Sequence, residues 1–570
     1  MSGAVLGNKS LSKFDVLVIG SGAGGGTLAY LCATHGLKVL ILEAGPNYFM
    51  GLDDPSAMPT PIFSNDELKQ DERLFMLTDP GVEPRTWRTQ ESDGVRTYVG
   101  DVQTLPKHVG GGAVHADLKM PRFIPTDFQL GTLLKNVAGL DGTSFADWPV
   151  DYDMLEPFYT YGEYALGVQG LAGAYPNEGP RSRAFPMPPG NPMYVANLVS
   201  KGATSIGLHP FPYPTAVNSR PYDGRPACVD CGFCSGYGCP SNAKGSPAVT
   251  LLRKALLSGN VQLLTETRAV RLFMNGAGTE VMGVGALDPD GKVQTYMADR
   301  YVLAASPIED ARLLFLSDPK GVGNSSDQVG RNLTFHFQTN ALGVFEERVH
   351  GHRGRTVSHG FADFRGIPGD PNHPCGGIVE ISGSEFPIGE GNYYYEIMKL
   401  LGGFKPALYK KLLRQSPARD RVVAMAMQAE DAPQPTNRVD LDPDVRDIDG
   451  LAAPRITYQN HAYELSARDF YAPKLLDLLG ASGAKYAIVA PIDTLPGSAH
   501  IMGTLRFGND PKTSVCDATG KFHDVGNLYA ADGALFPTSS GFNPTMTIVA
   551  LSLWVAANIV SPGSPNQAIS

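Results

Sequence analysis

At 570 residues the chain is too long for one hydrophobic core, so two domains are expected. Its formal charge of −10 is spread along the sequence without a basic run or a basic–aromatic stripe, which argues against nucleic acid as a partner. An ordinary 42% hydrophobic content argues against disorder, and 65 Gly with 45 Pro imply many loops on a large scaffold.

Met1 to Ser12 is largely polar and has no apolar core of a secretory signal, so a cytoplasmic protein is expected, or one exported with a signal-bearing partner. Phe14 to Ile19 is a short apolar run of the kind that forms a buried parallel strand. Gly20-Ser21-Gly22-Ala23-Gly24-Gly25 follows directly and fits G-x-G-x-x-G. A helical stretch runs to about His35, where Gly36 is a stop, and Lys38 to Leu42 reads as a second strand ending at Glu43. Glycine at 20 permits the tight turn, at 22 the approach of a pyrophosphate, and at 25 helix–strand contact. Glu43 can accept from ribose hydroxyls. The pattern predicts a dinucleotide site and leaves open which dinucleotide.

Residues 46 to 96 read as a long excursion with little periodicity. A second glycine-rich turn, Val109 to His115, contains Gly110, Gly111 and Gly112, which let backbone approach a flat or charged ligand. Glu156 to Leu166 reads as a helix with Pro157 in its first turn. The Pro-rich stretch 171–226 ends at four cysteines, Cys228, Cys231, Cys234 and Cys239. From 240 to 320, helices at Pro247–Ser258 and Ile308–Leu316 alternate with strands at Val261–Leu264, Arg268–Phe273 and Arg300–Ala304. That pattern suits the second half of a nucleotide-binding sheet.

Irregular strands at Ala341–Phe345, Val422–Gln428, Val439–Leu441 and Arg455–Tyr458, with helices near 392–414 and 463–481, mark a separate substrate domain. Then come His500-Ile501-Met502-Gly503-Thr504, a short strand at Asn527–Ala531, Asp532-Gly533, and a last helix with Asn543 as N-cap and Pro544 at its first position. The apolar run Met546–Val560, about 15 residues, is too short to span a bilayer.

In this order, the G-x-G-x-x-G with Glu43, the Val109-Gly-Gly turn, Val329-Gly330-Arg331-Asn332-Leu333, His500-x-x-Gly503-Thr504 and Asn543-Pro544-x-x-Thr547 resemble the glucose–methanol–choline (GMC) flavoprotein oxidoreductases over about residues 14–560. Asp147-Trp-Pro, Leu155-Glu156-Pro157 and the stretch 218–226 before the cysteines are similar to the bacterial FAD-dependent sugar dehydrogenase branch. A Cys-Gly-Phe-Cys stretch also occurs in the long-chain alcohol oxidases of the family.

The resemblance implies an α/β fold: a Rossmann-like FAD-binding domain with a second α+β substrate domain built on an antiparallel sheet. The first would take 1–45, 96–170, 225–335 and 491–570. The second, with lid excursions, would take 46–95, 171–224 and 336–490, and 226–247 would be a cysteine-cluster insertion. It implies FAD held by Gly20, Gly22, Gly25, Glu43, Gly110 and Gly111, with Val270 at the adenine and Asp532 and Gly533 at the ribityl and pyrophosphate. The helix start at Pro544 and Thr545 would point its positive end at the flavin.

By the same resemblance, His500 is the general base that takes a hydroxyl proton as hydride leaves carbon for flavin N5, and Asn543 orients the substrate oxygen. His115 is either covalently linked to FAD or packed beside it, His336 is structural, and His108 and His523 have no motif. Cys228-x-x-Cys231-x-x-Cys234-x4-Cys239-Pro240 resembles ferredoxin ligation except in its last spacing. A three-iron or four-iron cluster, a zinc site and a loop of unligated or disulfide-linked cysteines all stay open. The expected reaction oxidises a CH–OH group of a sugar or related alcohol. Electrons then pass, by way of the cysteine cluster where it holds iron and sulfur, to a small subunit or cytochrome, or to a quinone or dye; an oxidase using oxygen on a longer-chain or bulkier alcohol and a flavin-bearing lyase are the alternatives.

Overall fold

Val16, Leu17, Val18 and Ile19 have no polar face, and all four are buried, because Phe14–Ile19 is the central strand of a five-stranded parallel sheet. The computed structural model describes residues 14–62, 78–351, 353–383, 402–417, 420–492 and 495–570, with Gly391, Tyr394, Tyr395, Met398 and Lys399 besides. The strand order is Leu528–Ala530, Ala298–Leu303, Phe14–Ile19, Val39–Leu42, Val261–Leu264, and Val18 pairs with Val302 on one side and Ile41 on the other.

The helix Ala23–Thr34 follows the first strand. Gly36 ends it at φ +82°, and the Leu37 N–H bonds the Cys32 carbonyl at 3.1 Å, a left-handed close that a side chain would disfavour. The last helix, Thr545–Val560, packs between Ala23–Thr34 and Tyr152–Leu166 and is buried almost all round, which accounts for its apolar run. Among the described residues no helix is long and apolar enough to cross a membrane.

Three expectations are corrected. The stretch 240–320 does not simply continue the parallel sheet: only Val261–Leu264 and Ala298–Leu303 join it, while Arg268–Met274, Val281–Leu287 and Val293–Tyr296 form an antiparallel sheet of their own, against which Pro307–Ser317 packs. The helix expected from Glu156 begins at Tyr152, because Asp151 caps it by accepting from the Met154 N–H at 2.8 Å, so Pro157 lies beyond the first turn. The excursion 46–96 contains the strand Arg85–Arg88, which runs parallel to Ala452–Thr457 and antiparallel to Tyr98–Gly100. Of the helix expected near 392–414, Pro406–Gln415 is described, and much of the rest lies outside the described residues.

A six-stranded antiparallel sheet stands opposite, in the order Tyr486–Val489, Phe337–Val344, Val422–Ala429, Gly377–Gly383, His359–Phe361, Phe211–Pro212. Its side chains alternate by strand geometry. Phe337, Ala341, Met425, Met427, Val379 and Ile381 pack under the helices Tyr194–Ser205 and Ala462–Ala481. The alternate residues Gln338, Asn340, Ala426, Gln428, Ile378 and Glu380 occupy the other face, adjacent across the strands by register.

Candidate active site

The site is built where the parallel strands end. Gly20 takes φ +99°, and a Cβ there would lie 2.3 Å from the Ala304 carbonyl oxygen. A Cβ on Gly25 would lie 2.0 Å from the Gly20 oxygen, so helix and turn touch directly. Gly22 is different: a Cβ there would meet nothing within 4 Å. Gly22 also precedes the helix with no side chain capping it, so the first-turn N–H groups face that open space. These residues fit a pyrophosphate.

Glu43 closes the turn, accepting from the Ser21 N–H (3.0 Å), the Ser21 hydroxyl (2.6 Å) and the Gly45 N–H (2.9 Å), while burial raises its carboxyl above the usual range. The second glycine turn lies against the first. Gly110 donates to the Ser21 hydroxyl at 3.0 Å, and a Cβ on Gly111 would stand 3.3 Å from the Gly22 Cα. Val270 is on the strand Arg268–Met274, three residues after Thr267, whose N–H bonds the Glu43 carbonyl at 2.8 Å. Asp532 accepts from the Ser306 and Ala534 N–H groups at 2.9 and 2.8 Å, and a Cβ on Gly533 would reach 2.8 Å from the Ile501 oxygen. The Gly503 N–H bonds the Gly533 carbonyl at 3.0 Å, tying His500-x-x-Gly503-Thr504 to the strand end.

The 500–504 stretch lies antiparallel to 332–336. Thr334 and Met502 exchange both backbone hydrogen bonds at 2.9 Å, and a Cβ on Gly503, at φ +80°, would lie 2.0 Å from the Asn332 oxygen. Two residues along in opposite directions, the register sets His336 against His500. Their Nδ1 atoms are 2.8 Å apart, and His336 Nε2 is 3.1 Å from the Ser539 carbonyl oxygen.

The network fixes the protons. A carbonyl accepts only, so His336 carries its hydrogen on Nε2 and offers Nδ1 as acceptor. His500 therefore donates from Nδ1 and holds an unprotonated Nε2. Burial lowers His336 to about 4. Burial, His336 and the Lys119 ammonium together push His500 well below the ordinary imidazole value. His500 is thus a neutral, oriented acceptor.

Asn543 departs from expectation. The helix begins at Thr545 with Pro544 at its cap position, and no side chain caps it. The Asn543 amide turns away: Nδ2 donates to Glu380 Oε1 at 2.9 Å, and Oδ1 accepts from the Tyr213 hydroxyl. Lys119 bridges Glu380 (2.6 Å) and Asp117 (3.1 Å). Since Glu380 touches Asn543, the sheet face carrying Gln338, Asn340, Gln428 and Glu380 is the face turned to the site. Gln338 Nε2 donates to Gln428 Oε1 at 2.9 Å. Lys119, Tyr213, Glu380 and these amides sit in no motif. Tertiary pairing alone places them, as with the bridge of Lys119 to Thr215. His336 alone had a signal, in Asn332-Leu333-x-x-His336.

His115 and His108 form a buried pair with Nε2 atoms 2.7 Å apart. Burial lowers His108 to about 4, and burial with His108 and Lys244 lowers His115 to about 2, so both rings are neutral. The cysteines are not brought together as a ligand set: among the described residues no group of three or more His, Cys, Asp or Glu side chains is placed to hold a metal ion. Cys231 faces solvent, and Cys234 is buried with its thiol pushed up to about 12 by burial. Cys228 accepts from the Asp230 N–H at 3.4 Å, and Cys239 lies 3.5 Å from the Ser241 hydroxyl. The loop is held from beneath instead. Lys244 donates to the carbonyls of Ala116 (2.9 Å), Cys234 (2.9 Å) and Tyr237 (2.7 Å).

Family models described as GMC oxidoreductase match residues 195–338 and 433–552, and one described as FAD binding domain matches 15–49. The chain is 30% identical over 566 residues to 6'''-hydroxyparomomycin C oxidase of Streptomyces lividus, covering 96% of this chain and 91% of that one. It is 28% identical to the fructose dehydrogenase large subunit of Gluconobacter japonicus, covering 98% and 99%. Pyridoxine 4-oxidase from Mesorbium loti has the same fold, with a TM-score of 0.60 at 18% identity over 95% of this chain and 98% of that one.

Proposed function

This chain belongs to the GMC oxidoreductase family as an FAD-dependent oxidoreductase of alcohols or sugars, and within it we propose a dehydrogenase that oxidises one CH–OH group of a polyhydroxylated alcohol or sugar. The alcohol loses a hydride from carbon and a proton from oxygen, and a carbonyl remains. Bound FAD supplies the hydride acceptor, N5. Gly20, Gly22, Gly25, Gly110, Gly111 and Glu43 would hold its phosphates and ribose, with Val270 near the adenine. Asp532, Gly533 and the helix start at Pro544 and Thr545 would hold its flavin end.

The remaining work falls to side chains of the chain. His500 Nε2 takes the hydroxyl proton, the resulting imidazolium stays hydrogen-bonded through Nδ1 to His336, and Asn543 donates to the substrate oxygen. The observation that carries the polyol reading is the polar site-facing row of the sheet, in which the half-buried Gln338 and Asn340 offer donors and acceptors to neighbouring hydroxyls while the buried Gln428 and Glu380 hold them and Asn543 in place. The relatives named 6'''-hydroxyparomomycin C oxidase and fructose dehydrogenase large subunit fit that row.

The test is anaerobic bleaching of the flavin by a panel of sugars, aminoglycosides, diols and long-chain alcohols. Bleaching by polyols supports the reading, and bleaching by long-chain alcohols alone overturns it. Turnover in air then separates acceptors: peroxide formation with poor dye reduction marks an oxidase, and the reverse marks a dehydrogenase with a quinone, cytochrome or partner-subunit acceptor. An iron–sulfur relay through Cys228, Cys231, Cys234 and Cys239 requires the loop to rearrange, and no electron step is assigned to it.

A further inference from the structure

An amide has two hydrogens on nitrogen and two lone pairs on oxygen, and nothing in its shape distinguishes the two ends. At Asn543 the surroundings do. Nδ2 gives one hydrogen to Glu380 Oε1 at 2.9 Å, and Oδ1 receives the hydroxyl of Tyr213. Turning the amide over would set its oxygen against a carboxylate and lose the hydrogen bond from the Tyr213 hydroxyl. Glu380 is itself held, with Lys119 Nζ at 2.6 Å from Oε2, and Lys119 is anchored again on Asp117. Asn543 and Glu380 are only 2% and 3% exposed, so water does not replace these partners. Among the described residues no acceptor takes the second Nδ2 hydrogen.

We propose that Glu380, paired with Lys119, is a positioning residue that orients the Asn543 amide so that its second N–H is given to the substrate oxygen at His500. The proposal rests on the oxidoreductase reading above. It makes the acid on the sheet a determinant of how the alcohol is held, acting through Asn543 rather than on the reacting carbon.

The experiment is a double-mutant cycle on the FAD-loaded enzyme with an alcohol that bleaches the wild type, reading the anaerobic flavin-reduction rate. Glu380→Ala should slow reduction about 10- to 100-fold, because a buried donor loses its acceptor. Glu380→Gln keeps an acceptor for Nδ2 and should lose less than about 5-fold. In the Asn543→Ala background, Glu380→Ala should change the rate by no more than about 2-fold, because the group it acts through is gone.

A loss that is as large in Asn543→Ala as in the wild type overturns the proposal, as does a Glu380→Gln loss equal to that of Glu380→Ala. If Glu380→Ala does not retain flavin, Glu380→Met, which keeps the volume, takes its place in the cycle under the same criteria. A wild type whose flavin no alcohol bleaches refutes the oxidoreductase reading. An active wild type with an additive cycle refutes the positioning role alone.

Discussion

Replacing His336 tests whether a histidine outside the predicted site sets the tautomer of the one inside it. In His336→Leu the His500 Nδ1–H loses its acceptor in a buried setting, where an unmet donor costs about 1–3 kcal/mol. That cost falls most heavily on the state in which His500 carries two hydrogens, since the imidazolium needs the Nδ1 acceptor most. At about 1.4 kcal/mol per tenfold, flavin reduction should slow about 10- to 100-fold. In His336→Asn the side-chain oxygen can still accept, so the rate should return to within about 5-fold of the wild type. The assay is anaerobic stopped-flow bleaching at saturating alcohol, with FAD content and the thermal midpoint measured on each variant. A His336→Leu enzyme that keeps its flavin and reduces it at the wild-type rate would refute the tautomer argument, as would an Asn variant no better than Leu.

The pH dependence follows from the same pair. His336 is lowered to about 4 and His500 well below its ordinary value, both by burial first, so the base stays neutral as pH falls below 6.5. The rate is therefore present above the folded-state pKa and lost as pH drops through it. The acid limb of kcat/KM should lie below 6.5, and a limb at or above 7 contradicts the burial account. Gly22→Ala introduces a methyl that meets no protein atom and needs no change of backbone, so the thermal midpoint of the flavin-free chain should be unchanged while FAD content falls; full FAD loading would show that the open space at Gly22 is not the phosphate site. Because the four thiols near 228–239 do not converge, purified protein should carry less than stoichiometric iron and acid-labile sulfide, and a stoichiometric cluster would show that the loop rearranges.

What could be read from the sequence was what is local. The turn at Gly20–Gly25 was legible because Gly25 answers to Gly20 within the turn itself. Gly36 was legible because it closes the helix locally, at φ +82° with the Leu37 N–H on the Cys32 carbonyl. The cofactor needed the late motifs, because the turn alone suits NAD and FAD equally. The strand Arg85–Arg88 was missed because its parallel partner is Ala452–Thr457, more than three hundred residues away, and nothing local encodes that pairing. The cysteine spacing left the loop undecided for the converse reason. Two intervening residues allow thiols to converge but do not compel it, and here Asp230, Ser241 and the lysine beneath the loop hold them otherwise.

The pairing of His336 with His500 lies between these cases. Each histidine stands in a motif, Asn332-Leu333-x-x-His336 and His500-x-x-Gly503-Thr504, and neither motif mentions the other. The bridge between Thr334 and Met502 joins them, and it forms because Gly503 lets the two backbones approach at Asn332. The glycine of the second motif is thus a packing requirement set by the first, and its consequence is chemical: two residues from the contact, the register delivers one imidazole to the other at 2.8 Å. Gly503→Ala should therefore act on the rate without touching substrate. A Cβ 2.0 Å from the Asn332 oxygen must push the strands apart, break the bridge and leave His500 without its acceptor. Its loss in flavin reduction should match that of His336→Leu, and the two changes together should cost no more than the larger one. Additive losses would show that Gly503 holds something other than this pair.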